Sequence, residues 1–270
     1  MTLTTLQLSE SRRTVALRQA GEGEPLLLIH GVGMQSCAWA PQKKALQKNW
    51  RVIAVDMPGH GGSDPLPEDS DLSDFVRWCH DLVKTLGAGP VNLVGHSMGA
   101  LIAGGFAAEH PKLTRRVALL NGVYRRNPEA RAAVISRAAE IRAGTIDMQI
   151  PLDRWFGNTP AEVRARTCVA AWLGSVEPGG YATAYSAFAK GDAVYAGALS
   201  GIDCPFLALT GEGDPNSTPE MSARMAAVVQ DGQCAVIPGH RHMINLTAPD
   251  AVNEYLVEWL NRPLRQKEMQ

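Results

Sequence analysis

The pentapeptide Gly95-His96-Ser97-Met98-Gly99 is the feature that most constrains how this chain can fold. It follows an apolar run at residues 91–94 and precedes a small-residue stretch at residues 100–108, a pattern that predicts a strand, a tight turn and a helix. Glycine lacks the Cβ atom that would clash where a strand reverses into a helix. The turn would present the Ser97 hydroxyl at the first helical turn, where free N–H groups favour negative charge. Ser97 is therefore a candidate nucleophile, with a helix-capping serine as the alternative.

A glycine-containing loop follows another candidate strand. Residues 26–29 form a short apolar run typical of a buried parallel strand, and His30-Gly31-Val32-Gly33 comes directly after it. Glycine freedom lets such a loop turn a backbone N–H towards the nucleophile. We therefore expect the N–H groups of Val32 and Met98 to form an oxyanion hole, and His30 to hold its loop by hydrogen bonding.

A carboxylate candidate lies beyond an apolar run nearer the C-terminus. Residues 206–210 have the pattern of a buried strand, and the turn-rich residues 211–219 follow them. Open parallel sheets place their sites just beyond the carboxyl ends of their strands, which favours Asp214 as the partner of a base. Glu212 is the competing carboxylate.

Two histidines compete for the role of the base. Residues 233–237 have a short strand pattern that ends at Pro238-Gly239-His240-Arg241-His242. His242 is favoured because it directly precedes two apolar residues that can anchor the loop. The spacing leaves His240 open as the alternative.

Strand patterns alternate with helical stretches along most of the chain. This alternation predicts an α/β fold with a mostly parallel central sheet and helices on both faces. Between about residues 124 and 200 no β-period is visible, and alanine- and arginine-rich segments predict a helical cap instead. The predicted strands cover residues 14–18, 26–29, 51–55, 91–94, 117–121, 206–210 and 233–237.

The order nucleophile, acid, histidine, given by Ser97, Asp214 and His242, resembles that of α/β-hydrolase-fold enzymes. The resemblance spans nearly the whole chain and includes the glycine loop, the elbow pentapeptide, the Gly-x-x-Asp turn and the Pro-Gly-x-x-His loop. It implies that the last histidine of that loop is the base. It also implies that Asp56 and His60, in a glycine-rich turn shared with the family, have structural roles.

The same resemblance implies a domain division. Family members commonly carry a lid after the strand that here ends near residue 121. We therefore expect an α/β-hydrolase core formed by residues 1–122 and 201–270, and a helical cap formed by residues 123–200.

Composition restricts the partners of the chain. With 270 residues, 45% of them hydrophobic, the chain can bury one core plus an insertion. A formal net charge of −1 gives no basic field, so we expect a small-molecule substrate and no nucleic acid. No apolar run approaches the roughly 20 residues that span a bilayer, so no membrane association is expected.

The cysteines bear on compartment and on metals. They form an odd, scattered set without metal-ligand spacing, which favours reduced thiols in a cytoplasmic protein: Cys37, Cys79, Cys168, Cys204 and Cys234. No motif implies a metal ion or a cofactor. No single helix or strand pattern identifies an interface, so the oligomeric state is not predicted.

Together these candidates predict nucleophilic acyl transfer to water, in which His242 takes the proton of Ser97 and Asp214 orients the imidazole. An ester or a lactone needs only this triad and an oxyanion hole, so we expect a serine hydrolase of small esters or lactones. Carbon–carbon bond or amide hydrolysis of a small carboxylated metabolite is the first alternative, and a non-catalytic ligand receptor on the same fold is the second. The segment Trp39-Ala40-Pro41-Gln42 also resembles enol-lactonases of aromatic-acid degradation.

The predicted cap carries the candidates for substrate recognition. Its guanidinium groups can bind a substrate carboxylate, although most are expected to be solvated: Arg125, Arg126, Arg131, Arg137, Arg142, Arg154, Arg164 and Arg166. Its aromatic side chains are expected mainly to pack the cap, with some lining a pocket: Trp155, Phe156, Trp172, Tyr181, Tyr185 and Phe188.

Overall fold

The computed structural model describes residues 3–145 and 147–264. The outermost residues of the predicted core, 1–2 and 265–270, and residue 146 of the predicted cap lie outside this description. The described strands are β1 (Thr4–Gln7), β2 (Thr14–Ala20), β3 (Glu24–Ile29), β4 (Trp50–Val55), β5 (Val91–His96), β6 (Thr114–Leu120), β7 (Phe206–Gly211) and β8 (Gly232–Ile237).

These strands form one sheet in the order β1-β2-β4-β3-β5-β6-β7-β8. β2 runs antiparallel to both β1 and β4, whereas the other six strands, β3 to β8, run parallel to one another. The predicted α/β fold with a mostly parallel sheet is confirmed. β1 is absent from the predicted strands because its four residues are mostly exposed at the sheet edge and show no buried apolar face.

Helices cover the sheet and fill the long segment between β6 and β7. Short 3₁₀ helices span Ser36–Trp39, Pro111–Leu113 and Ala198–Gly201. The described α-helices are α1 (Ala40–Leu46), α2 (Leu72–Thr85), α3 (Met98–Glu109), α4 (Pro128–Arg142), α5 (Gln149–Trp155), α6 (Pro160–Ser175), α7 (Pro178–Gly191), α8 (Pro219–Val228), α9 (Ile244–Thr247) and α10 (Pro249–Leu260).

Helices α4 to α7 are called the helical insertion below. Three of them begin with proline at the first helical position, where its missing N–H is not needed. The residue before each proline accepts a backbone N–H with its side chain: Asn127 before α4, Thr159 before α6 and Glu177 before α7. These caps explain locally why this segment breaks into separate helices.

Alternate residues of the central strands face two hydrophobic clusters, one on each side of the sheet. In β3, Leu27 and Ile29 pack into a cluster with α2, α3 and the helical insertion. Leu26 and Leu28 pack into the other cluster, with α1 and α10. Burial on both faces is what makes the strands read as continuous apolar runs.

The helical insertion touches the turn after β4 through backbone atoms at Gly59 and Gly180. A Cβ atom built on Gly59 would lie 2.5 Å from the Cα of Gly180, and one built on Gly180 would lie 2.5 Å from the carbonyl oxygen of Gly59. Neither position has room for a side chain. The first turn of α7 therefore rests directly on the backbone of the core.

Candidate active site

Ser97 occupies the turn between β5 and α3. Its backbone has φ 55° and ψ −113°, a conformation that residues with a side chain rarely adopt. Two glycines permit the turn, since a Cβ atom on Gly95 would lie 2.0 Å from the carbonyl oxygen of Gly99, and one on Gly99 would lie 2.2 Å from that of Ile29. The Ser97 side chain makes no capping hydrogen bond to α3, so it does not serve as a helix cap.

Two buried histidines hold the loop after β3. Nε2 of His30 accepts the N–H of Met57 at 2.9 Å, and Nε2 of His60 accepts the N–H of Gly33 at 2.9 Å. Nδ1 of each ring donates to a backbone carbonyl, so each ring is a neutral, fixed tautomer. Burial, with a smaller effect of the neighbouring His30, lowers the pKa of His60 to about 3. Asp56 accepts backbone N–H groups from the adjacent loops, so all three side chains make structural contacts.

The predicted oxyanion donors lie beside the candidate nucleophile. Val32 lines the same cavity as Ser97, and Met98 is the first residue of α3. Neither backbone N–H donates a hydrogen bond to another described residue. Unpaired donors next to a serine are what an oxyanion hole requires, so Val32 and Met98 remain its predicted members.

Asp214 is buried just beyond the carboxyl end of β7. Its Oδ2 lies 2.8 Å from Nδ1 of His242 and accepts the amide N–H of Asn121 at 2.8 Å. Its Oδ1 accepts the backbone N–H groups of Asn216 at 2.8 Å and Ser217 at 3.1 Å. Burial raises the pKa of Asp214, but the charge of His242 and the hydrogen bonds outweigh burial and hold the pKa below its usual value. The carboxylate is therefore ionised at neutral pH.

His242 is fixed through both its ring and its backbone. Because the carboxylate of Asp214 can only accept, Nδ1 of His242 carries the proton and Nε2 is the basic nitrogen. Nε2–H of His96 donates to the carbonyl oxygen of His242 at 2.9 Å. Burial, followed by the effect of His242, lowers the pKa of His96 to about 3, so His96 is a neutral donor.

Ser97 and His242 line one cavity. Within the described part of the chain no hydrogen bond joins the Ser97 hydroxyl to the imidazole of His242. Catalytic hydrogen bonds of this kind are often long without substrate and tighten only in the complex. The arrangement thus brings a serine, a histidine and an ionised carboxylate to one edge of the sheet.

The two competing residues lie elsewhere. Glu212 is exposed, and its Oε2 accepts the N–H of Gly239 at 3.0 Å. His240 is half-buried, and its Nδ1 lies 3.0 Å from Oγ1 of Thr247. Neither lines the cavity beside the candidate nucleophile. The geometry therefore favours the aspartate–histidine pair described above.

A cavity of about 650 Å³ lies between the helical insertion and the carboxyl ends of the parallel strands. Four of the predicted aromatic candidates line it: Trp155, Tyr181, Tyr185 and Phe188. Phe156 and Trp172 do not line it and belong to the packing of the insertion. Trp39 is fully buried and meets His96 edge-on, with ring centroids 6.4 Å apart, so it packs behind the site.

Three of the predicted arginines line the cavity. Nη1 of Arg137 lies 3.2 Å from Oε2 of Glu140, and Nη1 of Arg154 donates to Oδ1 of Asn216 at 3.3 Å. The third, Arg126, has a side chain that is only 3% exposed. Glu140 is the one acidic residue among the described lining residues, so the wall of the cavity is net positive.

Asn121 is a site residue that the sequence patterns did not single out. The predicted strand included Asn121, but β6 ends at Leu120 and Asn121 has φ 49°, which asparagine tolerates better than most residues. The side-chain amide of Asn121 donates to Asp214, and the backbone carbonyl oxygen of Asn121 accepts a hydrogen bond from the Ser217 hydroxyl at 2.6 Å. An asparagine directly after a buried apolar run is the local signal that points to such a turn.

Three further observations concern metals, thiols and membranes. Across residues 3–145 and 147–264, no three His, Cys, Asp or Glu side chains are grouped to hold a metal ion. No disulfide bond involves any of the five cysteines, all of which lie within these described ranges. None of the described helices is long and apolar enough to span a bilayer.

A mostly parallel sheet with a serine on a strand–turn–helix elbow, and with an aspartate–histidine pair at the same edge, is the architecture of α/β-fold hydrolases. The model of the alpha/beta hydrolase family matches residues 26–255. This chain belongs to that family and is a hydrolase.

Known proteins resemble it along nearly their whole length. A protein of Acinetobacter baylyi named (E)-2-((N-methylformamido)methylene)succinate hydrolase is 52% identical over 256 residues, 95% of this chain and 97% of that protein. The 2-(acetamidomethylene)succinate hydrolase of Mesorhizobium japonicum is 26% identical over 259 residues, 93% of this chain and 92% of that protein. Among solved structures, the enol-lactonase from Burkholderia xenovorans LB400 has a TM-score of 0.84 and 25% identity, covering 96% of this chain and 100% of that one.

Proposed function

We propose that this chain hydrolyses the amide bond of a small unsaturated dicarboxylate that bears an N-acylamino group. One observation carries the proposal: a single cavity contains Ser97, His242 and three arginines, in a chain 52% identical to a hydrolase named for a succinate derivative. The Acinetobacter and Mesorhizobium relatives are named for succinates with an attached formamido or acetamido group. The proposal is the amide form of the alternative predicted from the sequence.

The substrate class suits acyl transfer. In both names the amide nitrogen is joined through a methylene double bond to a carbon that bears a carboxylate. The nitrogen lone pair is shared with this conjugated system and is less available to the amide carbonyl. The carbonyl is therefore more electrophilic than that of an ordinary amide, and the departing nitrogen is stabilised as an enamine.

The proposed reaction has an acylation step and a deacylation step, in which each site residue has a defined role. Ser97 Oγ attacks the amide carbonyl as Nε2 of His242 takes its proton, and Asp214 stabilises the imidazolium. The N–H groups of Val32 and Met98 hold the oxyanion. His242 gives the proton to the leaving nitrogen as the C–N bond breaks, which leaves an acyl ester on Ser97 and an enamine dicarboxylate. Water deprotonated by His242 then cleaves the ester, releasing the carboxylic acid and the free serine.

The positive wall of the cavity supports a substrate with carboxylates. Guanidinium groups bind carboxylates through paired, charge-assisted hydrogen bonds. In the proposed enzyme residues 123–200 act as the cap that closes over such a substrate, and residues 1–122 and 201–270 form the core that carries the triad. The net positive charge of the lining disfavours a cationic substrate.

Hydrolysis of a small ester or lactone is the second candidate. The likeness to an enol-lactonase favours it, and the same triad and oxyanion hole would suffice. The two candidates differ in the leaving group, since an amide nitrogen depends on protonation by His242 more than an enolate oxygen does.

Formate release from (E)-2-((N-methylformamido)methylene)succinate by the wild type and Ser97→Ala tests the proposal. We expect turnover by the wild type and a loss of about 10³-fold or more in the variant. An enol-lactone, p-nitrophenyl acetate and a vinylogous diketone are assayed in parallel. A higher kcat/KM for the lactone or the ester than for the amide would favour the second candidate, and cleavage of the diketone without formate release would favour carbon–carbon chemistry.

A further inference from the structure

A buried ion pair lies against the wall of the cavity. Arg126 follows β6, the neighbour of the strand that leads to Ser97. Its Nη1 lies 3.3 Å from Oδ1 of Asp192, whose side chain is fully buried. The guanidinium carbon lies 4.5 Å from the centroid of the Phe188 ring, and Nη1 donates to the Phe188 carbonyl oxygen at 3.4 Å. One face and one amino group of the guanidinium are therefore held by the end of α7.

Asp192 also fixes the backbone that carries this arginine. Its Oδ2 accepts the N–H of Arg126 at 2.7 Å, and its carbonyl oxygen accepts the N–H of Arg125 at 3.0 Å. Arg125 has φ 45°, a conformation that persists in a non-glycine residue only where the surroundings over-determine it. Asp192, the C-terminal cap of α7, thus fixes two consecutive residues of the loop between β6 and α4.

The rest of the guanidinium lacks a partner. Nη2 of Arg126 is buried and has no hydrogen-bond partner among the described residues. Buried polar groups are nearly always paired, so an unpaired guanidinium amino group calls for an acceptor. Arg131 adds a second positive charge 3.7 Å from the same Asp192 oxygen, so two guanidinium groups share one carboxylate. Oδ1 of Asp192 also accepts no hydrogen bond among the described residues, so its 3.3 Å contact with Nη1 is an ion pair without a hydrogen bond, and Nη2 stays unpaired.

We infer that Arg126 binds a carboxylate of the substrate and that Asp192 is a positioning residue that holds the guanidinium against the cavity. The identity of the ligand rests on the proposed function, and Arg126 is the one of the three lining arginines that forms the subsite. A carboxylate oxygen on Nη2 satisfies the free donor through a charge-assisted hydrogen bond. A forked guanidinium can hold Asp192 and the ligand at once, which a single ammonium does poorly.

Direct binding of succinate tests the subsite. Ligand-observed NMR titrations at constant ionic strength compare wild type, R126Q, R126K and R131Q, with succinamide as the neutral ligand. Arg131 contacts Asp192 but does not line the cavity, so R131Q removes one charge from the cluster and leaves the subsite. Thermal unfolding measures whether each variant is folded. If R126Q is unstable, R126K provides the comparison, because it keeps the buried positive charge.

We expect the Kd of succinate to rise about tenfold or more in R126Q, about fivefold in R126K and less than about threefold in R131Q. The Kd of succinamide should be the same for the wild type and for all three variants. Equal succinate affinity in wild type and R126Q, an equal loss in R131Q, or no binding to the wild type would overturn the inference. Because the titration needs no turnover, a failed amide assay together with Arg126-dependent binding would discard the proposed reaction and keep the subsite.

Discussion

The indole ring of Trp155 lies nearly parallel to the imidazole of His242, with ring centroids 5.5 Å apart and planes at 25°. Trp155 is the last residue of α5, so the helical insertion touches the proposed base directly. Arg241 adds to this contact, since its Nη1 donates to the carbonyl oxygens of Asp153 at 3.2 Å and Phe156 at 2.8 Å. The position of α5 and the orientation of the imidazole are therefore coupled.

Removing the aromatic face should slow the chemical step. We expect Trp155→Leu to lower kcat about fivefold to tenfold, because an aromatic face stabilises the imidazolium formed on His242 by about 1 kcal/mol. Trp155→Phe keeps such a face and is the matched control, which should retain most of the activity. Steady-state kinetics on the amide substrate provide the measurement, and equal losses in both variants would assign Trp155 to packing alone.

Two substitutions of Ser97 should be equally inactive but differ in stability. Ser97→Ala and Ser97→Gly both remove the nucleophile, so turnover should fall about 10³-fold or more. At φ 55° a side chain is strained by about 1–3 kcal/mol, and glycine relieves this strain at an entropic cost below about 1 kcal/mol. Urea unfolding should find Ser97→Gly more stable than Ser97→Ala by about 1 kcal/mol. Substantial turnover by either variant would rule out Ser97 as the nucleophile.

Mild acid should destabilise the folded protein. The pKa values of buried His60 and His96 are about 3 in the folded state, whereas an unfolded histidine titrates near 6.5. Below about pH 6.5 the unfolded chain binds protons that the folded chain does not, so stability falls with pH. Each histidine should cost about 2 kcal/mol at pH 5 relative to pH 7. Asp214, whose pKa is lowered by folding, should add a loss of the same sign only below about pH 4.

Urea titrations at pH 7 and pH 5 measure this dependence. The expected result is a lower unfolding midpoint at pH 5 with a similar slope, because the protonation of the unfolded state changes and the area exposed on unfolding does not. An unchanged midpoint would show that both imidazoles take up protons in the folded state by pH 5, which would contradict their lowered pKa values.

The hydrogen bond from Asn121 to Asp214 should affect kcat rather than substrate binding. Asn121→Gly keeps the φ of 49° but removes the donor to the carboxylate, a bond worth about 1.5–3 kcal/mol when one partner is charged. We expect kcat to fall about tenfold with KM nearly unchanged. Asn121→Ala loses the same bond and adds backbone strain, so its unfolding free energy should be lower by about 1 kcal/mol than that of Asn121→Gly. An unchanged kcat in Asn121→Gly would remove this role.

Apolar strand patterns followed by turn residues were sufficient to predict much of the fold and the three members of the candidate triad. β3 and β5 are buried on both faces, so each appears as a short apolar run, and the residues after them are marked by glycines. Ser97 and Asp214 follow such runs, β5 and β7, which is why position along the chain could indicate them. His242 follows β8, which is only partly buried, and was indicated instead by the turn residues and the apolar pair beside it. β1 carries no comparable run because it lies at an edge.

The contacts made by the helical insertion could not be predicted in the same way. No sequence pattern distinguishes Arg126 from Arg131. The packing of α7 against the loop after β6 buries Arg126 and leaves Arg131 partly exposed. Asp192 ends an ordinary helix, and nothing in its neighbours along the chain indicates a buried carboxylate. Trp155 likewise meets His242 only because α5 folds back over the sheet.

The backbone contact between Gly59 and Gly180 bears on how the substrate range of this enzyme can change. With no side chain between them, the start of α7 has a fixed distance from the core, and the three aromatic residues of α7 that line the cavity share that fixed position. Among the described residues the start of α5 has no such backbone contact, and near its end α5 is tied to the core by the Arg154–Asn216 hydrogen bond, which a change of rotamer can break. We expect variants selected for substrates of different size to carry their substitutions at Ile150 and Pro151, the α5 residues that line the cavity away from Trp155, while α7 stays constant.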